Sequence, residues 1–469
     1  MIATTCARLR GSFIALLLVS LLVVSVAGCG ARLSPSQYAA AVGGGGGGAA
    51  TGAGARQSVA SNPAAAGPAT SSEGPGASVA SADPGAAQPG AAAAPSGGCA
   101  PQHSDAPGVT DNEIKLGNVS TISGPIPNFG ATGRAGAKAY IDYINSQGGV
   151  CGRHVSMVTA DDRLDPGVNR STTEQLESQV LGFVGNTSVE DDGGASVIGG
   201  SNVPDCSLTL GSNSITQPNY FSPIPIDPSG QTNDTTAIWQ WFKANKGITK
   251  VGIVYPDNPT AAARIQGYQN DIAAAGLAVD TPIKVAVTET NYVGVASQMK
   301  NNGDDAFITA LEINGIAKFA QAIRQVGWTP KAPFYGSQAY SPLLTQLAGP
   351  AADGTVLGLA HDIVEGGGPA MENFAQIYKA SSSGQPLDFF AIMGWTSAKL
   401  CLDAIAAAGA APTRDAVIGA LNQVTNFTAD GIIGGSNPAQ RKGPTGFDIV
   451  TISGGQWQRV YPGQGFAPS

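Results

Sequence analysis

The alternation of apolar and polar positions is clearest between residues 114 and 162. An apolar run at residues 114–119 stops at Ser123-Gly124-Pro125, where glycine and proline end a strand. From residue 133 apolar side chains recur at helical spacing until Gly148-Gly149, and residues 155–158 have the pattern of a second strand. Strand, helix and strand form a βαβ unit with a parallel pair. The polar loop 123–132 then lies at the carboxyl end of its strand, where open α/β sheets bind ligands.

Short apolar runs continue to alternate with helical patterns along the chain. The predicted strands are residues 180–185, 203–209, 251–255, 307–311, 333–336 and 356–360, and the predicted helices include 266–275 and 315–327. Strands that alternate with helices throughout predict an α/β fold with mostly parallel sheets flanked by helices.

Residues 1–29 have the pattern of a secretory signal. Arg8 and Arg10 precede an apolar run at residues 13–26, which is too short for a comfortable membrane span. Ala27-Gly28-Cys29 resembles a bacterial lipobox, which implies cleavage before Cys29 and a lipid on its sulfur. The protein would then be exported and anchored to the outer face of the bacterial cytoplasmic membrane. An ordinary signal peptide with a chance cysteine is the alternative, and it also predicts export.

Composition divides the rest of the chain in two. Residues 30–108 are mostly Ala, Gly, Ser and Pro, which cannot bury enough apolar surface to fold, so they predict a disordered tether. About 360 residues follow, which is enough for two lobes. The net charge of −8, with no basic stripe, argues against a nucleic-acid partner.

Several short motifs follow one another at the start of the globular region. They are Ser123-Gly124-Pro125, Phe129-Gly130, Gly136-Ala137, Ile144-Asn145, residues 148–153, Asp161-Asp162 and Asp165-Pro166. In this order they resemble the opening of the branched-chain amino acid (Leu/Ile/Val) binding proteins, which are extracytoplasmic solute receptors of ABC importers. The resemblance covers roughly residues 109–461.

The resemblance implies a type I periplasmic-binding fold with two lobes. Residues 109–226 and 360–433 would form the first lobe, and residues 227–359 and 434–469 the second, which includes a closing strand at 446–452. Three chain crossings would form a hinge, and closure of the lobes over a solute would exclude water.

Four of the six cysteines remain after Cys6 leaves with the signal and Cys29 is lipidated. Outside the cytoplasm four cysteines are compatible with two disulfides, in three pairings. Cys151 follows the first helix and so lies near the amino end of the first strand, on the side from which Cys99 enters. This favours a Cys99–Cys151 pair, whereas Cys206 and Cys401 either form a second bridge or stay buried apolar thiols.

Catalytic and metal motifs do not stand out. The three histidines, His103, His154 and His361, lack a second ligand at metal spacing, and no nucleophile elbow or phosphate-binding loop occurs. The acids at 161–162 and 190–192 could suggest a glycosidase, but acid pairs at strand ends and helix starts are more often helix caps or solvated faces. We therefore expect no enzymatic activity, no cofactor and no metal.

Candidate ligand-binding residues come from the ends of strands. The resemblance implies that hydroxyls and backbone N–H groups of the first lobe hold a carboxylate, at positions that match Thr187, Ser188 and residues 209–212, of which we single out Thr209 and Ser212. Phe129 matches an aromatic position that lines the family's cleft, and Ser123 lies in the loop after the first strand. An alternative for each hydroxyl is a loop or capping role.

The second lobe departs from the family. Where the family usually has an acid for the ligand's ammonium, this chain has Gln338, which cannot neutralise a cation. Thr260 stands at a usually aromatic position. Glu312 or Asp257 could replace the acid, because both follow strands that should point into the cleft.

These features predict a solute-binding lipoprotein that acts as a monomer. It would capture a small polar solute, an amino acid or a related amide or carboxylate, and deliver it to an ABC transporter permease without a covalent step. A ligand sensor for a membrane signalling partner and a cell-surface protein without a transport role are alternatives, because one fold serves several functions.

Overall fold

The computed structural model describes residues 99–226, 236–444, 446–461 and 467–468. All of them belong to the second of two compact units, Gly85–Ser469. The predicted signal peptide, the lipid site at Cys29 and residues 30–98 of the predicted tether lie outside the described residues. Residues 99–108 are described and are attached to the fold, since the buried Ser104 Oγ donates to the Pro412 carbonyl oxygen at 2.6 Å. The folded part therefore starts before residue 108, and the predicted end of the tether was too late. Composition alone does not reveal hydrogen bonds to distant parts of the chain.

Helices and strands alternate as the hydrophobic pattern predicts. The helices are α1 (Ala131–Ser146), α2 (Pro166–Glu177), α3 (Ala195–Gly200), α4 (Thr236–Lys246), α5 (Pro259–Ala274), α6 (Val293–Asn302), α7 (Ile313–Gln325), α8 (Pro342–Ala348), α9 (Pro369–Ser381), α10 (Phe389–Ala407) and α11 (Arg414–Leu421). The strands are β1 (Glu113–Ser120), β2 (His154–Asp161), β3 (Gly182–Val184), β4 (Asp205–Cys206), β5 (Tyr220–Phe221), β6 (Lys250–Pro256), β7 (Ala278–Val279), β8 (Ile283–Val285), β9 (Ala306–Thr309), β10 (Ala332–Phe334), β11 (Val356–Leu359), β12 (Gly446–Ser453), β13 (Gln456–Tyr461) and β14 (Ala467–Pro468).

The first lobe contains a parallel sheet with strand order β2-β1-β3-β4-β5. β1 pairs with β2 from Glu113 opposite His154 to Ser120 opposite Asp161, so the carboxyl ends of the strands share one edge. The strand predicted at 203–209 is only Asp205–Cys206, because Pro204 has no N–H to give to a neighbouring strand.

The second lobe contains two groups of strands. One is parallel, with order β10-β9-β6-β7 and β8 also paired to β6. In the other, β12 pairs antiparallel with β11, β13 and β14. The α/β fold and the closing strand are confirmed, and among the named strands of the described residues antiparallel pairing occurs in this closing group.

Helix α10 returns the chain to the first lobe by packing directly on α1. Small residues allow the contact, because a Cβ at Gly394 would lie 1.9 Å from the Gly133 oxygen and one at Gly136 would lie 2.0 Å from the Ala391 oxygen. Of the described helices, α10 alone has the length and hydropathy to cross a membrane, but 72% of that segment is buried inside the fold. We therefore interpret α10 as a core helix.

The segments that cross between the lobes are hydrogen-bonded to one another. His361 and Ile433 form an antiparallel bridge, in which the Gly434 N–H donates to the Ala360 oxygen at 3.0 Å. Ser436 Oγ donates to the Pro223 oxygen at 2.7 Å and joins the segment that leaves the first lobe. This arrangement is the three-segment hinge of a two-lobe fold; the exact lobe boundaries stay a prediction.

The cysteines of the folded part behave differently from one another. Cys99 and Cys151 form a disulfide with a Cα–Cα distance of 5.0 Å, the pairing that the sequence favoured. Cys206 and Cys401 are buried free thiols, so the second bridge is not formed and the alternative of apolar thiols applies. Burial in strand β4 raises the pKa of the Cys206 thiol, and contact with Cys401 adds to this effect.

Candidate functional site

A cavity of about 310 Å³ lies between the two lobes, beside the crossing segments. The first lobe lines it with side chains from strand-end loops and from the start of α10: Ile126, Phe129, Val189, Leu208, Leu210, Phe389 and Phe390. The second lobe lines it mainly with residues at the ends of β6, β9 and β10 and on α5, which include Pro256, Ala261, Arg264, Tyr268, Ile308, Leu311, Glu312, Phe334 and Gln338. The cavity therefore occupies the carboxyl-end position at which open α/β sheets bind ligands.

The cavity wall is mostly apolar. Phe129 and Phe390 pack with their ring centroids 4.8 Å apart, and Phe389 lies 5.2 Å from Phe390, so three rings form the wall on the side of the first lobe. Among the described lining residues, Arg264 and Glu312 are the only charged ones. An apolar wall with a few placed polar groups is typical of a small-molecule site.

Helix α5 closes one side of the cavity and bonds to the opposite lobe. Asn258 caps the helix by accepting the Ala261 N–H at 2.7 Å, and Pro259 occupies its first turn. The helix thus begins seven residues before the predicted start at 266. From its first turns Thr260 Oγ1 donates to the Val189 oxygen at 2.6 Å, and Arg264 Nη2 donates to the Leu210 oxygen at 2.5 Å.

The loops that receive these two bonds are held by carboxylates. Asp191 accepts the Leu210 N–H at 2.8 Å, and Asp192 accepts the N–H groups of Asn213 and Ser214, both at 2.9 Å. Burial raises the pKa of Asp191 to about 8, and burial together with nearby acids raises the pKa of Glu190 to about 7. Asp191 and Asp192 therefore hold the loop at residues 210–214 that faces α5, rather than capping the short helical turn to which they belong.

The profile of the periplasmic binding protein family matches residues 113–456, which includes both lobes and the cavity. The chain belongs to the periplasmic binding protein family. A curated relative from Brucella abortus (strain 2308), named Leu/Ile/Val-binding protein homolog 8, is 23% identical over 389 residues, which cover 75% of this chain and 91% of the relative. The family resemblance inferred from the sequence motifs is therefore confirmed.

Solved structures of this family have the same fold. The fatty acid ABC transporter substrate-binding protein from Thermomonospora curvata is 22% identical, with a TM-score of 0.68 over 78% of this chain and 94% of that one. A branched chain amino acid ABC transporter protein from Thermus thermophilus with bound valine is 17% identical, with a TM-score of 0.66 over 76% of this chain and 97% of that one. At these identities the likeness establishes the fold.

Three of the predicted ligand-binding residues of this periplasmic binding protein line the cavity: Phe129, Glu312 and Gln338. Glu312 also caps α7, accepting the N–H groups of Asn314 at 2.8 Å and Gly315 at 2.5 Å. The Gln338 side-chain amide lies 3.1–3.2 Å from the carbonyl oxygens of Thr309, Leu311 and Tyr335, to which it donates. Both side chains are therefore already bonded to the protein.

The predicted hydroxyls of the first lobe lie outside the lining. Thr187 and Ser188 are buried, where Thr187 Oγ1 donates to the Gly185 oxygen at 3.3 Å and Ser188 Oγ donates to Asp162. Buried Thr209 Oγ1 donates to the Ser207 oxygen at 3.4 Å. A ligand contact by these three residues stays a prediction, but their hydroxyls already have partners within their own lobe.

The remaining predicted residues are exposed and lie outside the cavity lining. Ser123 Oγ donates to Asp161 at 2.6 Å; although burial opposes it, this bond and nearby backbone N–H groups lower the pKa of Asp161 to about 2. Ser212 Oγ bonds to Asp192 at 3.3 Å, and Asp257 pairs with Lys284 at 3.2 Å. A role in ligand binding stays a prediction for Ser123, Ser212 and Asp257.

Sequence reasoning missed Arg264, Tyr268 and the pair Phe389 and Phe390. Arg264 and Tyr268 are four residues apart on α5 and therefore share a face, which could have been recognised once Asn258-Pro259 was taken as the helix start. The phenylalanines belong to the first turn of α10, and only the packing of α10 on α1 directs them to the cavity.

Proposed function

We propose that this periplasmic binding protein captures a solute with a largely apolar body between its lobes and delivers it to an ABC importer. Membership of the family supports solute binding for import, and the similar protein from Thermomonospora curvata is named as a fatty acid ABC transporter substrate-binding protein. The proposal includes export and anchoring through a lipid on Cys29, which the lipobox-like Ala27-Gly28-Cys29 supports. It involves binding and lobe closure without a covalent step.

The apolar cavity wall carries this proposal. A volume of about 310 Å³ has room for roughly ten or more non-hydrogen atoms, and each methylene that leaves water for such a wall contributes about 0.8 kcal/mol. The aromatic rings of Phe129, Phe389 and Phe390 suit an acyl chain or an aromatic ring as the buried part of the solute.

The lining favours this solute over a free amino acid. An amino acid needs a carboxylate for its ammonium group, and burying an unpaired ammonium is costly. Glu312 is the only acid among the described lining residues, and its oxygens already accept N–H groups at the start of α7. Gln338 directs its amide N–H groups to carbonyl oxygens and carries no charge.

A thermal-unfolding screen of the full-length protein tests the proposal. We expect octanoate, 3-phenylpropanoate or their amides to raise the melting temperature, because a ligand at about a hundred times its dissociation constant stabilises the folded state by about 2.7 kcal/mol. Leucine, valine and glutamine should leave it unchanged. A shift with leucine and none with the apolar compounds would contradict the proposal.

A variant that fills the cavity serves as a control for the place of binding. Ala310 lines the cavity, so Ala310→Trp should abolish the shift. Ala273 is exposed near the end of α5, so Ala273→Trp adds the same side chain outside the cavity and should preserve the shift. Equal shifts in both variants would place the compounds outside the interlobe cavity.

A further inference from the structure

Arg264 stands out among the residues of the cavity wall. It lies on α5 with its side chain on the cavity, and the residue is only 9% exposed. Its guanidinium carries five N–H donors, of which Nη2 uses one on the Leu210 oxygen. Its other donors form no hydrogen bond with the described part of the chain, although the residue is nine-tenths buried.

No carboxylate of the described residues forms an ion pair with Arg264. The acids nearest to it in electrostatic effect, Asp191 and Asp192, bond instead to the backbone of the loop at residues 210–214. Glu312, the other charged lining residue, caps α7. Burial lowers the pKa of Arg264, although an arginine stays charged at any physiological pH. A buried cation without a close counter-ion leaves a place for an anionic ligand.

Tyr268 supplies a second donor beside Arg264. It follows one turn later on α5 and also lines the cavity. Burial raises the pKa of its phenol, so the hydroxyl keeps its proton and can donate it in a hydrogen bond. A guanidinium and a phenol on one helix face match the two oxygens of a carboxylate, since arginine binds carboxylates through parallel N–H groups.

We infer that the solute is a monocarboxylic acid with an apolar body, and that Arg264 and Tyr268 bind its carboxylate. This inference rests on the proposed function, since the apolar wall must hold the rest of the molecule. Because Arg264 also bonds to the Leu210 oxygen of the first lobe, the ligand's carboxylate meets the residue that joins the two lobes on this side of the cavity.

Matched acids and amides test separately whether the cavity binds an apolar solute and whether Arg264 binds its carboxylate. We would titrate the full-length protein at about pH 7.5 with octanoate and octanamide, and with 3-phenylpropanoate and its amide, by isothermal titration calorimetry. The acids should bind about 100-fold more tightly than the amides, because a buried arginine without an ionic partner discriminates strongly. Equal binding of acid and amide would overturn the role of Arg264 and leave the proposed function standing. Binding of neither would overturn the proposed function and this inference with it.

Variants then show whether Arg264 and Tyr268 cause the preference for the acid over the amide. Arg264→Gln should weaken octanoate binding about 100-fold and octanamide binding less than about 3-fold. Arg264→Lys should restore part of the affinity for octanoate but none of the bidentate geometry, and Tyr268→Phe should weaken octanoate about tenfold. If Arg264→Gln weakens acid and amide equally, Arg264 only joins the lobes, and the inference fails.

Arg441 provides the matched control. Its Nη2 donates to the Gln217 oxygen at 2.7 Å, and burial lowers its pKa as it does for Arg264, but Arg441 does not line the cavity. Arg441→Gln therefore removes the same kind of bond elsewhere and should leave the octanoate affinity unchanged. A loss equal to that of Arg264→Gln would mean that general destabilisation, rather than a lost carboxylate contact, explains the effect.

Discussion

Glu312 and Arg264 face the same cavity, but the protein stabilises their charges differently. Glu312 accepts two backbone N–H groups at the start of α7, where the helix dipole also favours a negative charge. Arg264 donates to the uncharged Leu210 oxygen and has no ionic partner at bonding distance among the described residues. Of the two, Arg264 is therefore the residue whose charge a ligand of opposite charge can neutralise.

Asp191 links the acidic loop to the residue that receives the Arg264 bond, and it makes stability depend on pH. Burial raises its folded-state pKa to about 8, far above the value of an exposed carboxyl. The folded protein therefore favours the protonated form of Asp191. The stability that this form contributes is complete below about pH 4 and is lost as the pH rises to about 8. We expect the unfolding free energy of the wild type, relative to Asp191→Asn, to fall between about pH 5 and 8 by up to about 1.4 kcal/mol per pH unit.

Urea denaturation at a series of pH values measures this difference. Asp111 is exposed, so Asp111→Asn changes the same side chain at the surface and should run parallel to the wild type. Parallel curves for the wild type and Asp191→Asn would show that Asp191 keeps an ordinary pKa in the folded protein.

Side-chain position at the strand ends was only partly predictable. Phe129, Glu312 and Gln338 line the cavity; the family resemblance had pointed to Phe129 and Gln338, and the place after a strand had pointed to Glu312. The hydroxyls of Thr187 and Ser188 occupy similar positions but bond inside the first lobe. A polar residue at a strand end has more than one reachable partner, and sequence position does not say which one it takes.

At the scale of elements, the contact between α1 and α10 depends on glycines. A Cβ at Gly394 would lie 1.9 Å from the Gly133 oxygen, so the helices must move apart to accept any larger residue. We expect Gly394→Ala to lower the unfolding free energy by about 1–3 kcal/mol, as overpacking does in cores, and urea denaturation would measure it.

Gly419 on α11 gives the opposite expectation and so serves as a control. It is exposed, and a Cβ there would meet nothing within 4 Å. Gly419→Ala should therefore raise the unfolding free energy by about 0.5–1 kcal/mol through helix propensity alone. A stabilising Gly394→Ala would show that α1 and α10 do not pack backbone to backbone.

At the scale of the whole molecule, Cys29 is the predicted point of attachment to the membrane. Lipidation at that sulfur would hold an exported binding domain at the membrane, near the permease that it serves. We expect a palmitate analogue to label the wild type and not Cys29→Ala in growing bacteria, and the variant to leave the membrane fraction. Cys206→Ala, which removes a buried thiol, is the control and should keep the label. Labelling of Cys29→Ala would contradict lipidation at this site.

The sequence by itself determined the α/β fold, because strand and helix periodicities are local, and the order of its motifs implied the family and its two lobes. The place of Cys151 after the first helix favoured its disulfide with Cys99. Tertiary structure decided which side chains form the cavity wall. Arg264 and Leu210 are 54 residues apart in the chain and meet only because α5 packs across to the loop of the other lobe. Such contacts depend on how whole elements pack together, and no local pattern of apolar and polar residues specifies them.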